Sequence, residues 1–235
     1  MNSENDTTYI NYHFSFENGR KEFFPVTIKL DDLSLVEENR SDFPAWTRLS
    51  FNQCKNCQLD EQKHTHCPIA LSISGVINKF QGTKSYELVQ VQVETPERNY
   101  DKKLALQQGL GSLLGIYMVT TGCPTLKVLR PMVRFHLPFA TVEETLFRST
   151  SAYLLGQYFK FKKKQESDWT LKGLVSSYEE IQQINLGITN RLRSISDEDA
   201  NANAVIVLDV FAKALPSSIL QDLQELEYLY HVSET

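Results

Sequence analysis

Little in this sequence is in excess, and each shortage closes off a class of protein. Only four of the 235 residues are cysteine, too few for a disulfide-stapled secreted scaffold of this length. Neither half carries a surplus of positive charge: 12 basic residues face 15 acidic ones up to Lys103, and 12 face 14 beyond it. A basic nucleic-acid arm and an acidic tail are both excluded, and no nucleic-acid partner is expected. With 41% apolar residues the chain is an ordinary globular one, neither collagen-like nor disordered. Met1 to Tyr9 is polar and has no apolar h-region, so a secretory signal is not expected and a cytoplasmic location is. The longest uncharged run, Leu104 to Leu126, is interrupted by Gln107, Gln108, Thr120, Thr121 and Thr125. Its strongly apolar part, Leu110 to Val119, falls short of the roughly 20 residues that span a bilayer, and it reads as a buried helix. There is no internal repeat, and no Gly-x-Ser-x-Gly, His-Glu-x-x-His or P-loop is present.

What is there begins with alternation. Ile10, Tyr12, Phe14 and Phe16 share one face of a strand, and Asn11, His13 and Ser15 share the other. Asn18-Gly19 suits a type I′ turn, after which Phe24, Val26, Ile28 and Leu30 resume the period of two, so residues 9 to 30 are predicted to be a hairpin. Pro25 cannot donate to a ladder and places the second strand at an edge. A third run, Val89, Val91 and Val93, turns at Thr95-Pro96-Glu97-Arg98 into another extended piece ending near Lys102. A helix is expected from Pro68 to about Phe80.

After Lys103 the period becomes helical. Leu106, Leu110, Leu113, Leu114 and Tyr117 form a stripe that Gly122 is expected to stop. Thr141-Val142-Glu143-Glu144 reads as a capping box for a helix through about Lys164, and Leu171 to Ile195 as a long amphipathic helix. Two further helices, about Asp199 to Leu215 and Ser218 to Tyr230, are predicted on either side of Pro216. The fold class is α+β: a small antiparallel sheet with a Cys/His loop (1–103), followed by a helical bundle (104–235) packed as one unit with it.

The chemistry concentrates between residues 54 and 68. Cys54-x2-Cys57 and His64-x2-Cys67 repeat a spacing that brings two donor atoms to one side of a tight turn, the ligand pattern of a closed structural zinc site. Pro68 fits a first helical turn, which sets Cys67 at a helix N-terminus where the dipole favours a thiolate. Cys123, in Thr121-Gly122-Cys123-Pro124, is a second cysteine directly before a proline. Packed back on the first site, it would replace His64 and make a four-thiolate centre, open to an iron–sulfur cluster as well as zinc. A thiol redox pair and a site without metal are the remaining readings. His66 is the weaker histidine, and His13 and His231 carry no signal.

The order Phe51 to Cys57, His64 to Pro68, Gly122 to Pro124 and Arg134 to Phe139 resembles that of an uncharacterised bacterial family of unknown function. The resemblance spans roughly residues 9 to 215. It implies a bacterial source, cysteines that belong to one site, and no known activity.

From Lys102 through Val142 there is no acidic residue, while Lys102, Lys103, Lys127, Arg130 and Arg134 are basic. Arg130, Arg134 and His136 are therefore candidates for binding an anionic group or for flanking Cys123, against the plainer expectation of ion pairs with Glu143, Glu144 or the C-terminal helices. Gly109, Gly111 and Gly115 lie inside a helical stripe and serve close packing better than dinucleotide binding. Lys160 to Lys164 complement a helix C-terminus. The paired carboxylates Glu143-Glu144, Glu179-Glu180 and Asp197 to Asp199 fall at helix starts or exposed faces, where capping and solvation account for them. A non-enzymatic metal protein is expected, with structural zinc and an interaction surface on the helices for a protein partner or a second copy. The alternative is an iron–sulfur or thiol sensor, and a zinc enzyme acting on an anionic substrate is the lesser one.

Overall fold

Alternating burial builds the sheet. A computed structural model describes residues 6–36, 43–195 and 200–230, and β1 (Thr7–Phe16) buries Thr8, Ile10, Tyr12, Phe14 and Phe16 on one face. It pairs antiparallel with β2 (Lys21–Lys29) and, on its other side, with β3 (Leu88–Glu94), which pairs with β4 (Asn99–Ala105). The order β2-β1-β3-β4 leaves β2 at an edge, where the missing N–H of Pro25, opposite Asn11, breaks no inner ladder. The hairpin turn differs from the expected type I′. Only Gly19 has a positive φ, at 86°, and its N–H bonds Phe16 O at 3.0 Å while Phe16 N–H bonds Arg20 O at 2.9 Å. These bonds describe a three-residue loop closed by a left-handed glycine, which spares Asn18 the strained conformation.

Helix α1 (Pro68–Lys79) ends at Phe80, whose ring packs on Phe14 and Phe24 with centroids 5.2 and 5.5 Å away. Helix α2 (Leu106–Val119) lies between the sheet and α6 (Ala200–Leu220). Two glycines let it do so: a Cβ on Gly109 would stand 3.0 Å from Phe14 and Val91 atoms, and one on Gly111 would stand 3.0 Å from Ala204 O. Gly122 is not the helix stop, since its φ is not positive. The last turn is satisfied by Thr120 and Thr121, whose hydroxyls donate back to Ile116 O and Met118 O at 2.8 Å.

A 3-10 turn (Thr125–Leu129) and the short α3 (Arg130–Arg134) lead to α4 (Val142–Lys162). Both halves of the capping box form there: Glu144 N–H donates to Thr141 Oγ1 at 3.1 Å, and Thr141 N–H to the Glu144 carboxylate at 2.7 Å. Asp168 closes the connection to α5 (Lys172–Arg193) by accepting from Tyr153 Oη at 2.9 Å and Gly173 N–H at 2.7 Å. Pro216 does not separate two helices. It sits inside α6, and Ala212 O, the acceptor it leaves unserved, takes a hydrogen bond from Gln182 Nε2 on α5 at 3.0 Å. The expected start at Asp199 lies outside the described residues, as do Met1 to Asn5, His231 and Asp197. The expected helix from Ser218 to Tyr230 is broken by Asp222 and Leu223, both at positive φ, and only the single turn α7 (Gln224–Glu227) follows as α-helix.

Buried apolar side chains of the sheet and of the helices join in one cluster. The run Leu104 to Leu126 supplies part of it through α2, with Leu110, Leu113 and Leu114 fully buried. Among the described helices, α6 is long and apolar enough to cross a membrane by length and composition, and it packs against α2 and α5.

Candidate functional site

Two stretches of the chain, residues 44–67 and the turn after α2, carry the four cysteines. Residues 44 to 67 form an irregular excursion tied to itself by Leu49 N–H to Thr65 O at 2.9 Å, Cys67 N–H to Thr47 O at 2.8 Å, and an isolated bridge between Arg48 and His66. Within it, Cys57 N–H bonds Cys54 O at 3.0 Å, the tight turn that the spacing demands. That turn lies along α5, held by Asn56 Nδ2 to Glu180 O at 3.1 Å and Asn52 Nδ2 to Ser194 Oγ at 3.3 Å. Cys54 Sγ occupies the space where Gly187 lacks a side chain, because a Cβ there would be 2.5 Å from the sulfur. Cys67 is the N-cap residue of α1, directly before Pro68. Cys123 follows α2 and is buried, its backbone N–H bonded to Thr121 Oγ1 at 3.3 Å.

All four are free thiols, and they act on one another. Burial pushes the Cys54 thiol up to about 12, and repulsion from Cys67, Cys57 and Cys123 adds to this while Arg191 opposes it. Burial also pushes the Cys123 thiol up, against hydrogen bonds from the Leu126 and Thr125 backbone N–H groups, and Cys67 and Cys57 again repel its charge. These two groups are therefore neutral thiols at neutral pH. In this arrangement no group of three or more Cys, His, Asp or Glu side chains able to hold a metal ion is formed among the described residues.

Arg191 was not singled out by its sequence. It is 1% exposed and donates from Nη1 to Trp46 O and Arg48 O at 2.8 and 2.7 Å and from Nη2 to Leu49 O at 2.9 Å. These bonds stitch the start of the cysteine loop to α5. Among the described residues no carboxylate pairs with it, and its guanidinium, beside Cys54, is held by these carbonyls and lies over the Phe51 ring at 6.0 Å. Its signal was its register: Ile184, Ile188 and Arg191 share one helical face.

The other candidates lie apart. His64 is exposed, and nothing links its ring to the thiols. The His66 ring bonds Thr47 Oγ1 through Nδ1 at 2.8 Å. Arg130 donates to Asp32 O and Thr121 O, both at 2.8 Å, so it braces the turn before Cys123 through the main chain. Arg134 meets Glu97 at 3.3 Å. The acidic partners of these two arginines come from the N-terminal part, where Glu143, Glu144 and the C-terminal helices were expected. His136 belongs to a different constellation: its Nε2 is 2.7 Å from Tyr12 Oη, which is 2.8 Å from Ser112 Oγ, which accepts the Phe139 N–H at 3.3 Å. Burial, with the nearby Arg148 charge, pushes His136 down to about 3, and burial drives the Tyr12 hydroxyl upward. The relay is therefore neutral at physiological pH.

No curated protein and no solved structure matches the chain. A family model described as a domain of unknown function, DUF6901, matches residues 10–231. That match takes in most of the first hairpin, all four cysteines and Arg191, and the chain belongs to this domain-of-unknown-function family.

Proposed function

We propose that this chain is a metal-binding protein in which Cys54, Cys57, Cys67 and Cys123 hold zinc in a structural role, with an iron–sulfur cluster as the alternative occupant. The observation that carries the reading is that the free thiols of Cys54 and Cys123, from two separate stretches of the chain, each lie within electrostatic reach of Cys57 and Cys67. Exposure of His64 favours four sulfurs over three sulfurs and a histidine. Four thiolates around a divalent ion leave a net negative shell, and the buried Arg191, which no carboxylate among the described residues pairs, is the charge such a shell needs. Zinc in a closed shell supplies folding energy and no open position for a substrate, so an enzymatic role is not part of the proposal. Since Cys123 comes from beyond residue 103, the metal would tie the helical part to the β-rich part. A cytoplasmic location belongs to the proposal, since a reducing compartment keeps thiols available to a metal. Exposed Leu155, Phe159 and Phe161 on α4, with Trp169 beyond it, offer the interaction surface for a protein partner or a second copy.

Metal analysis of protein purified anaerobically tests the reading. About one zinc per chain, lost in Cys57→Ala, supports it in its leading form, and iron with acid-labile sulfide supports the alternative. Protein that retains neither, and takes up neither zinc nor iron with sulfide when supplied, overturns it.

A further inference from the structure

A second site opens between the helices, away from the cysteines. A cavity of about 240 Å3 lies among α2, α4, α5 and α6, with Ile116, Leu126, Val207, Leu208 and Phe211 in its wall. For comparison, a dry cavity of about 150 Å3 accepts benzene. None of the four cysteines lines it.

Its polar groups are few and specific. Ser112 and His136 bring the neutral relay to the wall, and Arg148 on α4 supplies a positive charge. Arg148 Nη2 donates to Met132 O and Phe135 O at 2.9 and 2.8 Å. No carboxylate forms an ion pair with it among the described residues, since Glu144, the nearest in influence, is committed to the α4 cap. On α5, Tyr178, Ile181 and Asn185 line the cavity from one helical face. Asn185 is 2% exposed, and its Nδ2 has no hydrogen-bond partner. A buried amide donor without an acceptor is uncommon in a folded protein and calls for an explanation. Lys102 and Gln108 stand exposed at the rim.

We propose that this cavity binds a small monocarboxylic acid with an apolar body of about ten non-hydrogen atoms. The acid's carboxylate is taken by Arg148, and Asn185 Nδ2 serves as a further donor to the ligand. The chemistry follows from the walls. An apolar cleft excludes strongly hydrated molecules, and a lone guanidinium in low dielectric selects an anion over a neutral analogue of the same shape. With His136 neutral and Tyr12 a phenol, no acidic side chain among the described residues lines the cleft beside Arg148.

Calorimetric titration of the protein as purified with octanoate, and separately with 1-octanol, tests the site, with Arg148→Gln as the variant. Octanoate is expected to saturate one site per chain, octanol to bind at least tenfold more weakly, and R148Q to abolish the difference. Equal affinities for the two probes in the unmodified protein overturn the proposal. Octanoate binding that is absent, or that takes several molecules per chain, does the same. These readings need no variant and stand even if R148Q does not fold. A folded R148Q that binds octanoate as tightly as the parent also overturns it. The metal content is unaffected by either probe, so the outcome is separate from that of the cysteine site.

Discussion

Gly187 and Cys54 share one space: the side chain that α5 omits is where the cysteine sulfur sits, 2.5 Å from the place a Cβ would take. The helix is thus cut to the shape of the loop, and the sulfur is fixed by packing.

Gly187→Ala should therefore displace Cys54. The methyl must push either the sulfur or the loop backbone, at a cost of about 1–3 kcal/mol in stability, and metal content per chain should drop below that of the parent. Denaturant unfolding and metal analysis of the same preparation measure both. A variant with parental stability and full metal occupancy would show that the loop is not held against α5.

Replacing Arg191 with methionine leaves Trp46 O, Arg48 O and Leu49 O without their donor. Each buried acceptor left unpaired costs about 1–3 kcal/mol, so Arg191→Met is expected to lose about 3 kcal/mol or more in urea unfolding. A loss below about 1 kcal/mol, the scale of one ordinary hydrogen bond, would mean that the carbonyls find water.

The rescue of Pro216 by Gln182 predicts a coupling. Gln182→Leu should cost about 1 kcal/mol by orphaning Ala212 O. In a Pro216→Ala background the helix regains its own donor, and the same substitution should cost clearly less. A double-mutant cycle with additive effects would sever the link.

His136 gives a pH dependence of unusual sign. Its folded value lies near 3, below the ordinary 6.5, so between these limits the unfolded chain binds the extra proton. Its contribution is present above about pH 6.5 and is lost as pH falls toward 3. Stability followed from pH 7 to pH 4 should decline, and His136→Gln should decline less steeply. Parallel curves would rule out His136 as the titrating group.

The sheet was legible because a half-buried strand writes its face into every second residue, as β1 does from Thr8 to Phe16. Its turn was not, because Asn-Gly suits both a two-residue loop and a three-residue one, and the difference lies in bonds between Phe16 and Arg20. Pro216 misled for a similar reason. The donor that makes it tolerable is on another helix, and no local pattern records Gln182 reaching Ala212. The tight turn at Cys54 and Cys57 was readable in the x2 spacing. Arg191 was overlooked because arginine near a helix end ordinarily faces water. Its position in an apolar register was the clue, and the three carbonyls that receive it belong to a segment some 140 residues earlier in the chain.

The two edges of the sheet have a bearing on how the protein behaves when concentrated. On β2 the outermost strand carries Pro25 between Lys21 and Lys29, and on β4 it carries Asp101, Lys102 and Lys103. A strand from another chain that tried to extend the ladder would meet a missing donor on one side and a row of charges on the other, the devices by which natural sheets resist fibrous stacking. Heating or crowding this protein should thus leave the hairpin end a poor seed for cross-β growth.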